Sequence, residues 1–319
     1  MANLCIRVFC GWYCLLAKPE VTIGICVRNS AATLREAIES ITLQDFPHKL
    51  MEIIFVDDGS TDETLSIIMR YAPRMGVKVK IFYHRWKGLG ASRNVVVVNA
   101  RGDFILWVDG DMILSKDYVT KQVEFMKQHP EVGIAKGKQA LESGGNLVAT
   151  LETYSRVAGR MVDYNSKKAQ SKSLGTGGSI YRIEALRQVN GFDKLITGYG
   201  EDFDVEYRIR KTGWSLSTTD VQFRDYERGR ISWKGLWSRY FKRGSDLHEF
   251  LREQKSLINL YNLLPPAAFL AGLFHSFKIY KLTHQKIAFL LPLQYVFKTS
   301  ALCFGFIRGS IAHSNFGIN

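Results

Sequence analysis

The sequence predicts an α/β fold: a mostly parallel sheet with flanking helices, followed by C-terminal amphipathic or membrane helices. Three observations carry that expectation. Apolar runs of strand length alternate with helical patterns up to about residue 136, the rhythm of right-handed βαβ units. One run, Phe104 to Val108, is apolar throughout and leads into Asp109-Gly110-Asp111. Such a run suits burial on both sheet faces, and ligands of open α/β sheets bind outside the carboxyl ends of the strands. Beyond Leu263 lies the most apolar part of the chain, in stretches of helix length.

Residues 1–20 read as an extension. Its segment Leu4 to Ala17 is mildly apolar, contains Arg7, and is too short to span a bilayer; it is expected to lie against a membrane. Residues 21–136 hold the repeating units. Val21 to Val27 is a buried strand, and Thr33-Leu34-Arg35-Glu36 has capping-box form before a helix with Leu34, Ala37, Ile38 and Ile41 on one face. Glu52 to Val56 is the second strand, ending in Asp57-Asp58-Gly59-Ser60. A second capping box, Ser60 to Glu63, opens a helix with Leu65, Ile68, Met69 and Ala72 inward. Val79 to Tyr83 is the third strand. A loop with Gly88 and Gly90 leads to Ala91–Asn99 and then to the strand at Phe104. Ser115 caps a helix with Val119, Val123 and Met126 inward, and Val132 to Ala135 is a short fifth strand.

Across residues 137–230 the rhythm breaks into glycine-rich turns at Gly144-Gly145, Gly175 to Gly178 and Gly191, then Gly198-Tyr199-Gly200-Glu201-Asp202. This half is expected to build over the open edge of the sheet. Residues 231–319 change character again. Ser232 can cap a helix with Trp233, Leu236, Trp237, Tyr240 and Phe241 on one face and Lys234, Arg239, Lys242 and Arg243 around the rest. That composition suits a helix in a membrane interface, or one packed on the domain with a solvated basic face. Ile287 to Ile307 is long enough to cross a bilayer, but Lys298 inside it would cost roughly 2.5–3.5 kcal/mol near the bilayer centre. Helices pressed into one leaflet satisfy the same residues.

The formal charge of +13 and a pI near 9.5 call for an anionic partner. Nucleic acid is the weakest choice, because the basic residues accompany apolar helices rather than a nucleic-acid motif. Cys5, Cys10, Cys14, Cys26 and Cys303 contain no Cys-x-x-Cys pair, so a zinc site is not expected and reduced thiols in the cytoplasm are. Two carboxylates spaced as Asp109 and Asp111 can aim at one divalent cation.

Read together, Asp57-Asp58-Gly59-Ser60, Ala91-Ser92-Arg93-Asn94, Asp109-Gly110-Asp111 and Gly200-Glu201-Asp202 form an ordered set. From about Val21 to Asp225 the chain resembles the inverting glycosyltransferases of family 2, which have the Rossmann-like GT-A fold. The resemblance implies a nucleotide-sugar-binding half over 21–136 and an acceptor-binding half over 137–230. It implies that Asp57 and Asp58 meet base and ribose, with Val27, Arg28 and Asn29 lining the same pocket. Arg93 is implied near the base or phosphates, with Gly177, Gly178 and Glu201 as substrate contacts. Asp109 and Asp111 become the metal-binding pair for Mg²⁺ or Mn²⁺, Asp111 as the direct ligand and Asp109 closer to the ribose. Asp202 becomes the catalytic base.

Two departures stand out. Where many family members place a metal-completing histidine, this chain has Arg224-Asp225, so Asp225 is the candidate oxygen ligand. The strand-one pattern Pro-x-Tyr-Asn is here Cys26-Val27-Arg28-Asn29, which removes the expected stacking aromatic. Plainer readings stand beside these: Asp57 to Ser60 as a turn and cap, Gly177-Gly178 as a tight turn, Asp204 and Glu206 as a solvated or structural face, and Trp107 and Trp214 as core or acceptor wall.

The resemblance leads to a membrane-associated, metal-dependent enzyme with a cytoplasmic catalytic domain. It would move a sugar from a nucleotide diphosphate sugar, UDP-linked before GDP-linked, to a hydroxyl of a lipid-linked glycan. The alternatives are a polyprenyl-phosphate sugar synthase and a non-catalytic nucleotide-sugar or membrane-binding relative.

Overall fold

The computed structural model describes residues 4–8, 18–142, 144–161, 173–196, 200–225, 231–253 and 264–314. Its strands are β1 (Leu4–Val8), β2 (Val21–Val27), β3 (Met51–Asp57), β4 (Lys78–Tyr83), β5 (Phe104–Trp107), β6 (Met112–Leu114), β7 (Val132–Gln139), β8 (Ser179–Arg182) and β9 (Ser215–Asp225). They form one sheet in the order β1-β4-β3-β2-β5-β8-β7-β9-β6. The expected parallel core is its centre, β4-β3-β2-β5. Antiparallel pairs flank it: β1 on β4, β8 between β5 and β7, and β6 on β9. The extension therefore contributes an edge strand at Leu4–Val8.

Register explains why the strand ends matter. Val27 pairs with Asp57, Asp57 with Tyr83, and Gly24 with Trp107. The loops after β2, β3, β4 and β5 thus leave the sheet from one edge. All seven residues of β3 are buried, as its apolar run Ile53–Val56 requires of a strand covered on both faces. Against the sheet pack Leu34, Ile38 and Ile41 of α1 (Leu34–Thr42) and Ile67 and Ile68 of α2 (Thr64–Tyr71). The helix α3 (Leu89–Asn99) follows β4, and α4 (Tyr118–Gln128) brings Val119, Val123 and Met126 inward as expected.

Neither capping box forms. The Thr33 hydroxyl donates to the Gly110 carbonyl at 2.8 Å instead of capping α1. Ser60 Oγ accepts from the Asn29 amide at 3.0 Å, while the Thr64 amide donates to Asp62 Oδ1 at 3.0 Å. In both cases a side chain suited to a local cap is used to tie neighbouring strand-end loops together. Helix α2 is also rotated from expectation: Ile67 is inward and Met69 exposed.

The chain divides into two compact units. One comprises residues 1–138, 163–197 and 201–226 and holds the sheet, α1 to α4, α6 (Ile183–Gln188) and α7 (Glu201–Lys211). The other comprises 139–162, 198–200 and 227–319. It gathers α5 (Leu147–Arg160) with α8 (Trp233–Glu253), α9 (Pro265–Thr283) and α10 (Leu291–Ser314). The stretch expected as one half over 137–230 is thus split, because α5 buries Leu151, Tyr154 and Ala158 against Ile279, Ala288 and Leu291.

Within the helical unit the aromatic face of α8 turns toward α10: Trp233 and Trp237 meet Phe297 with ring centroids 4.9 and 5.2 Å apart. A Cβ at Gly244 or Gly305 would overlap the backbone of the opposite helix, so these glycines allow the close approach. Among the described residues, Lys286–Ile311 is the one stretch long and apolar enough to cross a membrane by length and composition. Its Lys298 is nevertheless buried in the protein, donating to Glu152 Oε2 at 3.1 Å and Ser155 Oγ at 2.7 Å. The penalty expected for a lysine in lipid is met by a carboxylate on α5.

Breaking that pair leaves a buried charge without its partner. Lys298→Met should therefore lower stability by about 3–5 kcal/mol, with the double variant Glu152→Leu/Lys298→Met recovering most of it. Equilibrium urea unfolding checks both, and an unchanged midpoint for Lys298→Met would contradict the assignment.

Candidate functional site

The site is built from the loops leaving that one sheet edge. After β2, Asn29 adopts φ 51°, a left-handed conformation that asparagine tolerates. Its Oδ1 accepts from the Thr61 amide at 2.8 Å. Val27 packs at Gly110, where a Cβ would come within 2.8 Å of Val27 Cγ1. With the Thr33–Gly110 bond, these contacts fix the Asp109-Gly110-Asp111 turn against the β2 loop.

Asp57 accepts from the Ser60 amide at 2.7 Å through Oδ1, while its Oδ2 is buried without a hydrogen-bond partner. The turn reading of Asp57-Asp58-Gly59-Ser60 is therefore present in the fold. Asp58 clasps the loop after β4: Lys87 N donates to Oδ1 at 2.8 Å and Gly88 N to Oδ2 at 3.1 Å. His84 Nδ1 lies 3.2 Å from the same carboxylate.

Arg93 of α3 is buried, and its Nη1 donates to Glu201 Oε1 at 2.7 Å. Its guanidinium also lies over Phe192 and Trp107, 5.3 and 5.9 Å from their centroids. Burial alone would pull the Arg93 pKa down, but Glu201, Asp109 and Asp202 more than offset this and hold it above its ordinary value. Expected near base or phosphates, this arginine serves as counter-charge to a carboxylate group. Burial and the neighbouring Asp202 push the Glu201 carboxyl up, against the pull of Arg93. Cys26 beneath them is pushed to about 12 by burial, with Asp109 and Asp58 adding to the rise, so it is a neutral thiol.

Asp202 opens α7 beside Glu201 and is half-buried; its Oδ1 accepts from the Phe203 amide at 2.8 Å. Of the glycines preceding it, Gly198 lies outside the described residues, and Gly200 has φ 115°. The segment Gly175 to Gly178 joins Asp202 to Asp109. A Cβ at Gly175 would sit 3.3 Å from Asp202 Oδ2 and 3.5 Å from Lys136 Nζ, and one at Gly177 would overlap the Asp109 carboxylate. Gly177 is thus required for close approach. Gly178 is held as a turn, its amide donating to Trp107 O at 2.8 Å.

Asp109 and Asp111 are half-exposed at the end of β5, and Asp225 is buried on β9 opposite Met112, one residue from Asp111. Among the described residues no three His, Cys, Asp or Glu side chains form a ready-made metal cage. Two or three carboxylates of this kind fit a hard cation such as Mg²⁺ or Mn²⁺, which is commonly held by one or two carboxylates together with substrate phosphates.

Sequence reasoning overlooked Lys136 and left Glu206 as a solvated or structural face residue. Lys136 is buried in β7 and donates to Gly175 O at 3.0 Å; a lysine inside an apolar strand was the available signal. Glu206, four residues after Asp202 on α7, accepts from the Leu174 and Gly175 amides at 2.8 and 2.7 Å. It therefore anchors the glycine segment rather than facing solvent. Asp204 is likewise buried and takes Arg208 at 2.6 Å. Asn94 clamps Phe192, accepting from its amide at 2.9 Å and donating to its carbonyl at 2.7 Å.

The sheet, its strand-end carboxylates and the Asp202 loop define a nucleotide-sugar transferase type of fold, and the comparisons with known proteins agree. The chain belongs to glycosyl transferase family 2, whose model matches residues 22–189, more than half of its length. It is 36% identical over 101 residues to the poly(ribitol-phosphate) β-N-acetylglucosaminyltransferase TarS of Staphylococcus aureus, covering 32% of this chain and 18% of that protein. Over 254 residues it is 23% identical to the poly-β-1,6-N-acetyl-D-glucosamine synthase of Staphylococcus epidermidis, covering 74% and 58% respectively. The chain thus spans well under two thirds of these curated relatives. Among solved structures, the mannosyltransferase PcManGT of Pyrobaculum calidifontis, in complex with GDP-Man and Mn²⁺, superposes with a TM-score of 0.66 at 18% identity, covering 92% of this chain and 88% of that one. TarS residues 1–349 of S. aureus with UDP-GlcNAc superpose with a TM-score of 0.52 at 18% identity, covering 91% and 92%. At these identities the structural likeness speaks to the fold, which is GT-A.

Burial and the nearby Asp202 charge push the Glu206 carboxyl up to about 7. A carboxyl raised on folding binds more protons in the folded chain between its unfolded and folded pKa values. Its contribution to stability is present at low pH and lost as pH rises through about 7. The melting temperature of the unchanged chain minus that of Glu206→Gln should therefore fall from about pH 5 to about pH 8.5. A difference that stays constant across that range would contradict the assignment.

Proposed function

We propose that this chain is a metal-dependent inverting glycosyltransferase that moves a sugar from a nucleotide diphosphate sugar to a hydroxyl of a lipid-linked glycan. The observation that carries this reading is the approach of the Gly175–Gly177 segment to Asp202 on one side and Asp109 on the other, in a chain of glycosyl transferase family 2. Donor phosphates would lie at Asp109 and Asp111, the sugar along Gly177 and Gly178, and the base at Asp57, Asp58, Val27 and Asn29. UDP-linked donors are favoured because TarS binds UDP-GlcNAc; GDP-linked donors remain open in view of GDP-Man in PcManGT.

Asp109 and Asp111, with Asp225, would hold the Mg²⁺ or Mn²⁺ ion, which when bound supplies a Lewis acid for the negative charge gathering on the leaving diphosphate. Asp202 takes the proton of the acceptor hydroxyl as that oxygen bonds to the anomeric carbon and the bond to the diphosphate breaks. A single displacement inverts the carbon. Arg93 and Glu201, expected as substrate contacts, also balance the charge around Asp202.

Membrane attachment belongs to the same reading. Exposed Phe269, Leu270, Phe274 and Phe277 on α9, and Leu293, Phe304 and Ile307 on α10, offer apolar area beside basic residues, a combination suited to an anionic lipid surface and a lipid-bearing acceptor. The catalytic unit would then face the cytoplasm, where nucleotide sugars are held.

Asp202→Asn keeps the size of the side chain but cannot take a proton. Transfer to a sugar hydroxyl should fall about 10²–10⁴-fold, with donor binding retained. Measuring labelled product with UDP- and GDP-sugars and lipid extract checks this. A polyprenyl-phosphate acceptor arrives already ionised, so a largely retained rate with that acceptor would select the phosphate-acceptor reading. Asp111→Ala, or excess EDTA on the unchanged protein, should abolish turnover; full activity in EDTA would overturn the metal assignment.

A further inference from the structure

The loop after β4 carries Trp86, whose side chain is among the few large apolar ones exposed in the sheet-bearing unit, 53% exposed. An isolated exposed tryptophan needs no explanation, but this one is fixed in place on three sides. Its backbone lies against Gly59, where a Cβ would come within 2.7 Å of Trp86 N. The next two amides, Lys87 and Gly88, are clasped by Asp58. Over its ring stands Arg28, with Cζ 5.6 Å from the centroid. Arg28 is the residue that stands where the family's strand-one pattern has an aromatic.

We propose that Trp86 and Arg28 together form the stacking face for the nucleobase of the donor, with Trp86 supplying the aromatic surface missing from strand one. This rests on the nucleotide-sugar reading of the Asp57–Asp58 edge. A purine or pyrimidine is flat and polarisable, and both an indole and a guanidinium plane accept it face-on. Asp58 fixes the loop that carries the indole, so the surface is preformed and little side-chain freedom is lost on binding. Because every base has a π-face, the arrangement discriminates weakly by stacking alone. Choice between uracil and guanine then falls to polar groups around the edge, such as the unpartnered Asp57 Oδ2.

The test is calorimetric titration of the full chain with UDP, GDP and inorganic pyrophosphate, each with Mg²⁺. Trp86→Ala should weaken UDP and GDP by roughly 5- to 150-fold and leave pyrophosphate unchanged. Trp86→Phe should restore most of the affinity, and Arg28→Ala should show a smaller, base-dependent loss. Unchanged UDP and GDP affinity in Trp86→Ala would overturn the inference while leaving the family reading intact. An equal loss for pyrophosphate would overturn it too, since the effect would then be loss of the site as a whole. If the unchanged protein bound neither nucleotide, the donor-site reading would fall and this inference with it.

Discussion

Three carboxylates, Asp109 from the end of β5 and the adjacent Glu201 and Asp202 of α7, are brought into the field of one buried guanidinium, that of Arg93. Like charges this close repel, and burial strengthens the repulsion by removing water. A direct bond to Glu201 and attraction to the other two allow the acids to remain together. Arg93 is itself sheltered by Trp107 and Phe192, which cover its faces without competing for its hydrogen bonds. Removing this residue would leave the first turn of α7 and the end of β5 facing each other as unbalanced charge. That makes an arginine that is out of reach of solvent the residue on which the rest of the site depends.

The second level of organisation is backbone. Glu206 receives two consecutive amides, and Lys136 donates to a carbonyl of the same segment. The stretch from Leu174 to Gly178 is held from both sides, and the bare Cα atoms of Gly175 and Gly177 let Asp202 and Asp109 approach it. Positioning here comes from buried charged groups that bond to the backbone of the segment. The same pattern recurs at the donor edge, where Asp58 holds two amides of the Trp86 loop and Asn29 holds the Ser60–Thr61 turn.

The helical unit solves a different problem. Among the described residues, the stretch Lys286–Ile311 is long and apolar enough to cross a membrane by length and composition, yet it carries a lysine in mid-course. Glu152 and Ser155 of α5 satisfy it, and the rings of Tyr240 and Tyr295 lie 5.2 and 4.9 Å from its ammonium. A segment of helix taken from between two parts of the sheet-bearing unit thus serves to neutralise a charge in the tail. This ties the order of the chain to the exposed apolar surface of α9 and α10.

Much was legible without coordinates. The apolar runs fixed the four parallel strands, since burial on both faces admits little else, and the carboxylates at their ends followed from strand direction. Asp57, Asp58, Asp109 and Asp202 could be singled out because short motifs record local geometry. What composition could not supply were partners distant in sequence. Arg93 and Glu201 are separated by 108 positions, and Lys298 and Glu152 by 146. Thr33 and Ser60 fitted a local cap equally well, and only neighbouring loops decided against it. Helical and strand periodicity reports which side of an element is buried, through interactions spanning a few residues. Which charge then meets which depends on how strands align and segments pack, and that is settled only when the chain closes on itself.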